Sequence, residues 1–380
     1  MKKIVLAIDS FKGCLTSEEV EQAAKDGVKD LFPHCEVECV PIADGGEGML
    51  DVMVNLTQGR YVEVEVHDPL MRPITARYGV AGDGITAVIE MAQASGLPLL
   101  SENERNPMLT TSYGTGELIA HALSSGFRHI LLGIGGSATN DAGMGMMQAL
   151  GARFYDSKEN KLSTGCGKLL YSVENVDLES FDMWISGADF AVACDVNNPF
   201  CGKLGAAYVF ARQKGATADE IAELERGMQH YADIIEDAVE KNICNMPGAG
   251  AAGGVGGALA AFFHASLLPG IDLILSQIDF AQKIKDADLI ITGEGKAHEQ
   301  TLMGKVPAGV LRYGISRNIP VYLMAGAVEN WEKLREGGFA DICEVTPRSM
   351  SLAEALSPEV ARRNIRIAVG KILGLANERG

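Results

Sequence analysis

Short apolar runs without alternation recur along the chain at Lys3–Asp9 (KIVLAID), Glu36–Pro41, His129–Ile134 (HILLGI), Leu289–Thr292 (LIIT) and Pro320–Ala325 (PVYLMA). Runs of this kind suit parallel strands covered on both faces. Helical patterns lie between them. Ser17–Leu31 places Val20, Ala23, Ala24, Val28 and Leu31 on one face, and Thr16 with Glu19 has capping-box spacing. Thr115–Leu123 and Ala142–Leu150 are further candidates. This strand–helix alternation predicts an α/β fold with a doubly wound, mostly parallel Rossmann-like sheet.

A different texture occupies Tyr61 to Glu90. YVEVEV alternates with period two, DPLMRP turns, and ITARYGV and ITAVIE follow, which predicts an antiparallel meander with one wet face. At 380 residues two domains are the default. The meander is therefore read as the start of an inserted α+β domain, residues 61–104 and 191–269. Residues 1–60, 105–190 and 270–380 are assigned to the Rossmann-like domain. The acidic run Asp219 to Glu240 has helical spacing and reads as a solvated helix.

Composition narrows the function. The chain carries 33 basic and 50 acidic residues, a net charge of −17. Such a surface repels polyanions, so nucleic acid and anionic membrane are not expected partners. The eight cysteines show no paired metal-ligand spacing, since Cys35 and Cys39 are the only close pair. Reduced thiols are expected. The apolar run after MKK is too short for a signal peptide, and glycines and prolines break the uncharged stretch Met246 to Ile271. A cytoplasmic location is expected, and association of like chains stays open.

In open α/β sheets, ligands bind beyond the carboxyl ends of the strands. Those positions here read Asp9-Ser10-Phe11-Lys12-Gly13, Ala43-Asp44-Gly45-Gly46-Glu47-Gly48, Gly133-Ile134-Gly135-Gly136-Ser137-Ala138-Thr139-Asn140-Asp141 and Gly293-Glu294-Gly295-Lys296. Glycines let backbone N–H groups approach a phosphate. Carboxylates beside them would repel it unless a divalent cation intervenes or one acts as a base. The combination points to Mg²⁺–nucleotide. Gly133, Gly135 and Ala138 also match a dinucleotide fingerprint, with Asp156 after a second short strand, so an NAD-dependent dehydrogenase and a non-catalytic nucleotide sensor are competing readings. An acid at Asp141 opposes an uncompensated pyrophosphate at the helix start. No P-loop pattern occurs.

The segments DSFKG, PIADGGEG, IEMAQASGL, RNPMLTTSYGTGELI, GIGGSATNDAGMGM, CDVNNPF, PGAGAAGG and TGEGKAHEQTLMGKVP resemble the bacterial glycerate kinase family, the type unrelated to P-loop and ribokinase folds. The likeness runs in order from Met1 to about Pro307. It implies phosphorylation of D-glycerate by ATP with Mg²⁺, usually to 2-phosphoglycerate, in a cleft between two α/β domains. The chain departs from the pattern in three places. Lys296 and His298 stand where members usually carry Arg and then Asp, and Cys14 stands where most have Ser.

These features suggest direct in-line phosphoryl transfer. Lys12, Asp44 and Asp141 are the catalytic candidates, with Asp44 or Asp141 as base. Gly135, Gly136, Ser137, Asn140, Gly293, Gly295 and Lys296 are the nucleotide-binding candidates. Ser10, Glu47 and Arg105 are assigned to substrate, and Asp195 and Glu294 to the metal. His298 reads more readily as a structural histidine.

Overall fold

The computed structural model describes residues 1–42 and 48–379. The chain divides into two compact units, Met1–Asp44 with Ile271–Gly380 and Gly45–Gly270.

The first unit is built on a five-stranded, wholly parallel sheet. In spatial order its strands are Asp341–Glu344, Val321–Val328, Leu289–Ala297, Lys3–Ile8 and Glu36–Cys39. Side chains alternate across a strand. Ile4, Leu6 and Ile8 pack in one core with Val20, Ala24 and Val28 of helix Ser17–Leu31 and with Ile365 and Val369 of helix Pro358–Arg379. Helix Val306–Ser316 covers the other face, where Gly314 lies against Ile290 and Val321. Burial on both faces explains the unbroken apolar runs.

Helix Ser17–Leu31 forms as its local sequence predicts. The Thr16 hydroxyl accepts from Glu19 N, and the Glu19 carboxylate accepts from Thr16 N at 3.0 Å. Gly27 lets this helix meet the C-terminal one. A Cβ there would lie 3.1 Å from Arg366 Cα and its carbonyl oxygen. Gly27→Ala would push the helices apart, at a cost of about 1–3 kcal/mol.

The second unit holds a six-stranded mixed sheet with the order Ser266–Leu268, Asp189–Ala193, His129–Gly133, Thr86–Glu90, Pro73–Val80 and Arg60–His67. The first four strands run parallel to one another, and the two pairings that add Pro73–Val80 and then Arg60–His67 are antiparallel. The meander is therefore continuous with a parallel sheet, because Thr86–Glu90 pairs antiparallel with one neighbour and parallel with His129–Gly133. Strand His129–Gly133 belongs to this sheet, whereas the sequence reading put residues 105–190 with the first one. Its apolar pattern reports burial on both faces and says nothing about which strands it pairs with.

Two further features differ from expectation. The strand expected to end at Thr292 runs on to Ala297, because Val321–Val328 continues beside it and pairs Glu294 with Ala325 and Lys296 with Ala327. Asp156 does not end a parallel strand. Its carboxylate accepts from Lys158 N and Asn160 N in a turn after Arg153–Tyr155, a strand of a separate two-stranded sheet. That placement removes the acid the dinucleotide fingerprint requires after its second strand.

Among the described residues no helix is long and apolar enough to cross a membrane. All eight cysteines are free thiols.

Candidate active site

In the second unit the chain leaves strand His129–Gly133 and turns through Gly135 and Gly136, both exposed. Gly136 adopts φ +68°, a left-handed conformation that an L side chain rarely takes. The loop is held from several sides. Leu97 N donates to Gly136 O at 2.8 Å, Ala138 N to Ser95 O at 2.9 Å, and Thr110 Oγ1 to Ala138 O at 2.9 Å. Gly135, Gly136 and Ser137 line a pocket of about 410 Å³ with Asp195, Lys214, Phe210 and Ala251. Asp195 is exposed and follows strand Asp189–Ala193, and its carboxylate accepts from Gly270 N at 3.0 Å.

Asp141 does not face this pocket. It is fully buried, and one carboxylate oxygen accepts from Ser112 N and Ser112 Oγ, both at 2.7 Å, and from Gly145 N at 3.2 Å. The other accepts from Gly143 N at 3.3 Å. Burial raises its pKa above the usual aspartate value, and these donors pull the other way. Helix Met144–Ala149 starts only after it. With its lone pairs taken by backbone N–H groups and the Ser112 hydroxyl, Asp141 anchors the loop, a buried placement unlike the pocket-facing one expected of a base. Asn140 is also fully buried, with its amide on Met228 Sδ at 3.1 Å, so it does not line the pocket. Arg105 is half-buried, and its carbonyl packs on Gly215, where a Cβ would come within 2.1 Å.

The sequence reading missed Lys214. Its Nζ donates to Ser137 Oγ at 2.8 Å and to Thr139 O at 2.7 Å from a buried position. Burial lowers its pKa to about 7, against a pull upward from Asp141. The local sequence RQKGA carries no motif that could have flagged it.

A second pocket, of about 510 Å³, lies wholly in the first unit and is lined by Asp9, Ser10, Lys12, Glu294, Gly295, Lys296, His298 and Lys305, with Met350, Leu352 and Leu356 on an apolar side. Lys12 is exposed. Lys296 pairs with Glu329 at 2.9 Å on the surface. Gly293 is buried within its strand, and a Cβ there would strike Met324 O at 2.0 Å, so it is a packing glycine. Glu294 has both oxygens engaged, by Thr301 Oγ1 at 2.5 Å and Lys305 Nζ at 3.0 Å. His298 caps a short turn, with its ring accepting from Gln300 N at 3.3 Å. Asp44 and Glu47 lie outside the described residues.

Among the described residues no three His, Cys, Asp or Glu side chains cluster to hold a metal. Mg²⁺ needs fewer, because it keeps waters and takes one or two carboxylates plus phosphate oxygens. The exposed Asp195 beside the glycine loop fits that role, and the ion-paired Glu294 fits it less well.

The sequence model of the Glycerate kinase family matches residues 4–377. A glycerate kinase of Halalkalibacterium halodurans is 43% identical over 373 residues, covering 97% of this chain and 98% of the relative. A glycerate 2-kinase of Escherichia coli K12 is 41% identical over 379 residues, covering 99% of both. A crystal structure described as glycerate kinase 2 from Salmonella typhimurium LT2 superposes with a TM-score of 0.84 at 42% identity, covering 99% of this chain and 98% of that one. With the glycine loop, its pocket and these full-length likenesses together, the chain belongs to the glycerate kinase family.

Proposed function

We propose that the protein transfers the γ-phosphoryl group of ATP, with Mg²⁺, to a hydroxyl of D-glycerate, giving 2-phosphoglycerate. The observation that carries this reading is the exposed Gly135-Gly136 turn lining one pocket with Ser137, Lys214 and Asp195. Exposed glycine backbone, a hydroxyl, an amine and one carboxylate form a donor set for a metal-bound polyphosphate.

The backbone N–H groups of Gly135 and Gly136 and the Ser137 hydroxyl would orient the phosphates. Asp195 would hold Mg²⁺, which supplies neutralisation of phosphate charge. In the first unit, the exposed Lys12 would offer its pocket a positive charge for a carboxylate or phosphate, Lys296 and Lys305 being ion-paired with Glu329 and Glu294, and Ser10 adds a polar contact for substrate. Arg105 is a further candidate for the substrate carboxylate. Asp44, in PIADGGEG, takes the role of base, which would aid a loose transition state by roughly 10²–10⁴-fold. Positioning and neutralisation do the rest.

A coupled assay for ADP tests the reading. Release that requires both Mg-ATP and D-glycerate is expected. Folded protein giving no glycerate-dependent ADP would refute it.

A further inference from the structure

Lys214 is 2% exposed, yet its amine reaches the loop that lines the pocket. It sits at the end of the short turn Arg212–Lys214, closed by Gly215 at φ +99°. Among the described residues it has no carboxylate within ion-pair distance. A buried, unpaired ammonium costs several kcal/mol, so such a lysine is an expensive way to fasten a loop that backbone bonds already hold. Burial accordingly lowers its pKa to about 7, with Asp141 opposing. The charged or titratable groups around it are few. Asp141 lies behind the loop with its oxygens on Ser112, Gly143 and Gly145; Asp195 and the Cys194 thiol line the same pocket; Arg105 meets the adjacent Gly215 through its backbone; Arg212 lies on the same turn.

Two N–H bonds of Lys214 point at Ser137 Oγ and Thr139 O. In the neutral amine the remaining position on nitrogen is a lone pair; in the ammonium it is a third donor. The Ser137 oxygen, already accepting from Lys214, keeps its own proton free to donate.

We propose that Lys214 is a positioning residue of the phosphate loop, one that orients the Ser137 hydroxyl as a donor and takes up a proton when a polyphosphate seats on Gly135–Ser137. This inference rests on the phosphoryl-transfer reading. The proton comes from solvent onto the nitrogen lone pair, no protein bond breaks, and it returns to solvent when the anion leaves. The protein thus avoids a buried charge while empty and supplies one when an anion arrives to pair with it.

The test is calorimetric titration of the full chain with Mg-ATP, without glycerate, at pH 7.5 in two buffers of different ionisation enthalpy. The wild type should take up a fraction of a proton per nucleotide bound. Lys214→Arg, permanently charged, should bind within a few-fold of wild type with the uptake abolished. Lys214→Met should bind about 10- to 100-fold more weakly, the loss of one charge-assisted hydrogen bond. Undiminished uptake in Lys214→Arg, or wild-type affinity in Lys214→Met, would overturn the proposal. Should Lys214→Met fail to fold, the arginine variant decides alone. A wild type that ignores Mg-ATP sinks the nucleotide reading separately. Sodium tripolyphosphate then replaces Mg-ATP in the same titration: uptake lost in Lys214→Arg keeps the role of Lys214, while unchanged uptake, or no binding of either probe, overturns it.

Discussion

Lys305 Nζ lies 3.0 Å from Glu294 Oε2, so the carboxylate that follows Gly293 is an ion-pair partner of a lysine. The Glu294 side chain is 7% exposed and that of Lys305 30%, so the pair is only partly screened by water. Removing the lysine leaves a nearly buried carboxylate without its counter-charge. Lys305→Met should therefore cost about 2 kcal/mol of stability, more than Glu294→Gln, which keeps an acceptor for Thr301. Urea unfolding of both variants checks the order.

Asp141 makes a comparable prediction in the second unit. Its oxygens face backbone donors at Ser112, Gly143 and Gly145. In Asp141→Asn an amide N–H₂ must either turn toward one of those donors or leave it unpaired. The expected loss is about 2–3 kcal/mol, with any fall in activity accompanied by a lower unfolding midpoint. Normal stability with abolished turnover would restore Asp141 as a base.

A side chain at Gly136 should strain the glycine turn. Gly136→Ala would put a Cβ on a residue at φ +68°, a strain of about 1–2 kcal/mol, and 3.4 Å from Ala92 Cβ. The Michaelis constant for ATP should rise several-fold, and that for glycerate should change less. Initial-rate kinetics with each substrate varied separate the two.

How much of this was legible depended on how local each signal is. Helix Ser17–Leu31 could be read to its bounds because its apolar stripe and its Thr16–Glu19 capping box lie within the segment. The strand His129–Gly133 could be read but not its sheet, since pairing with Thr86–Glu90 and Asp189–Ala193 is a non-local choice. Gly293 to Lys296 read as a loop because glycine, glutamate and lysine are poor strand formers, and a continuing neighbour strand overrode that preference. Gly135, Gly136, Ser137 and Asp195, which line one pocket, stand out in the sequence by their places at strand ends and in a glycine turn. Lys214 and Lys305 were not, because a lone lysine in sequence is ordinarily a solvated one, and only the folded chain buries or pairs it.

The depressed pKa of Lys214 has a signed consequence for stability. Its folded value is about 7 against an ordinary 10.5, so between those values the unfolded chain binds more protons. Lys214 therefore contributes a stability gain as pH rises through that window. The difference in unfolding free energy between wild type and Lys214→Met should shift in favour of wild type from pH 7 toward pH 10. A difference independent of pH would mean that the amine is not held neutral.

Asp195→Asn should raise the Mg²⁺ concentration needed for half-maximal activity about 10-fold, because one neutral oxygen replaces the carboxylate proposed for the metal. A Mg²⁺ titration at fixed ATP checks it.

The proposed reaction is read most directly from a proton-coupled ³¹P NMR spectrum of the protein with Mg-ATP and D-glycerate. Transfer to the secondary hydroxyl places phosphorus beside a single carbon-bound proton. Growing ADP signals and a new ester doublet are expected, both absent without glycerate. A triplet would move the phosphate to the primary hydroxyl, and a spectrum showing only unchanged ATP would rule out phosphoryl transfer to glycerate.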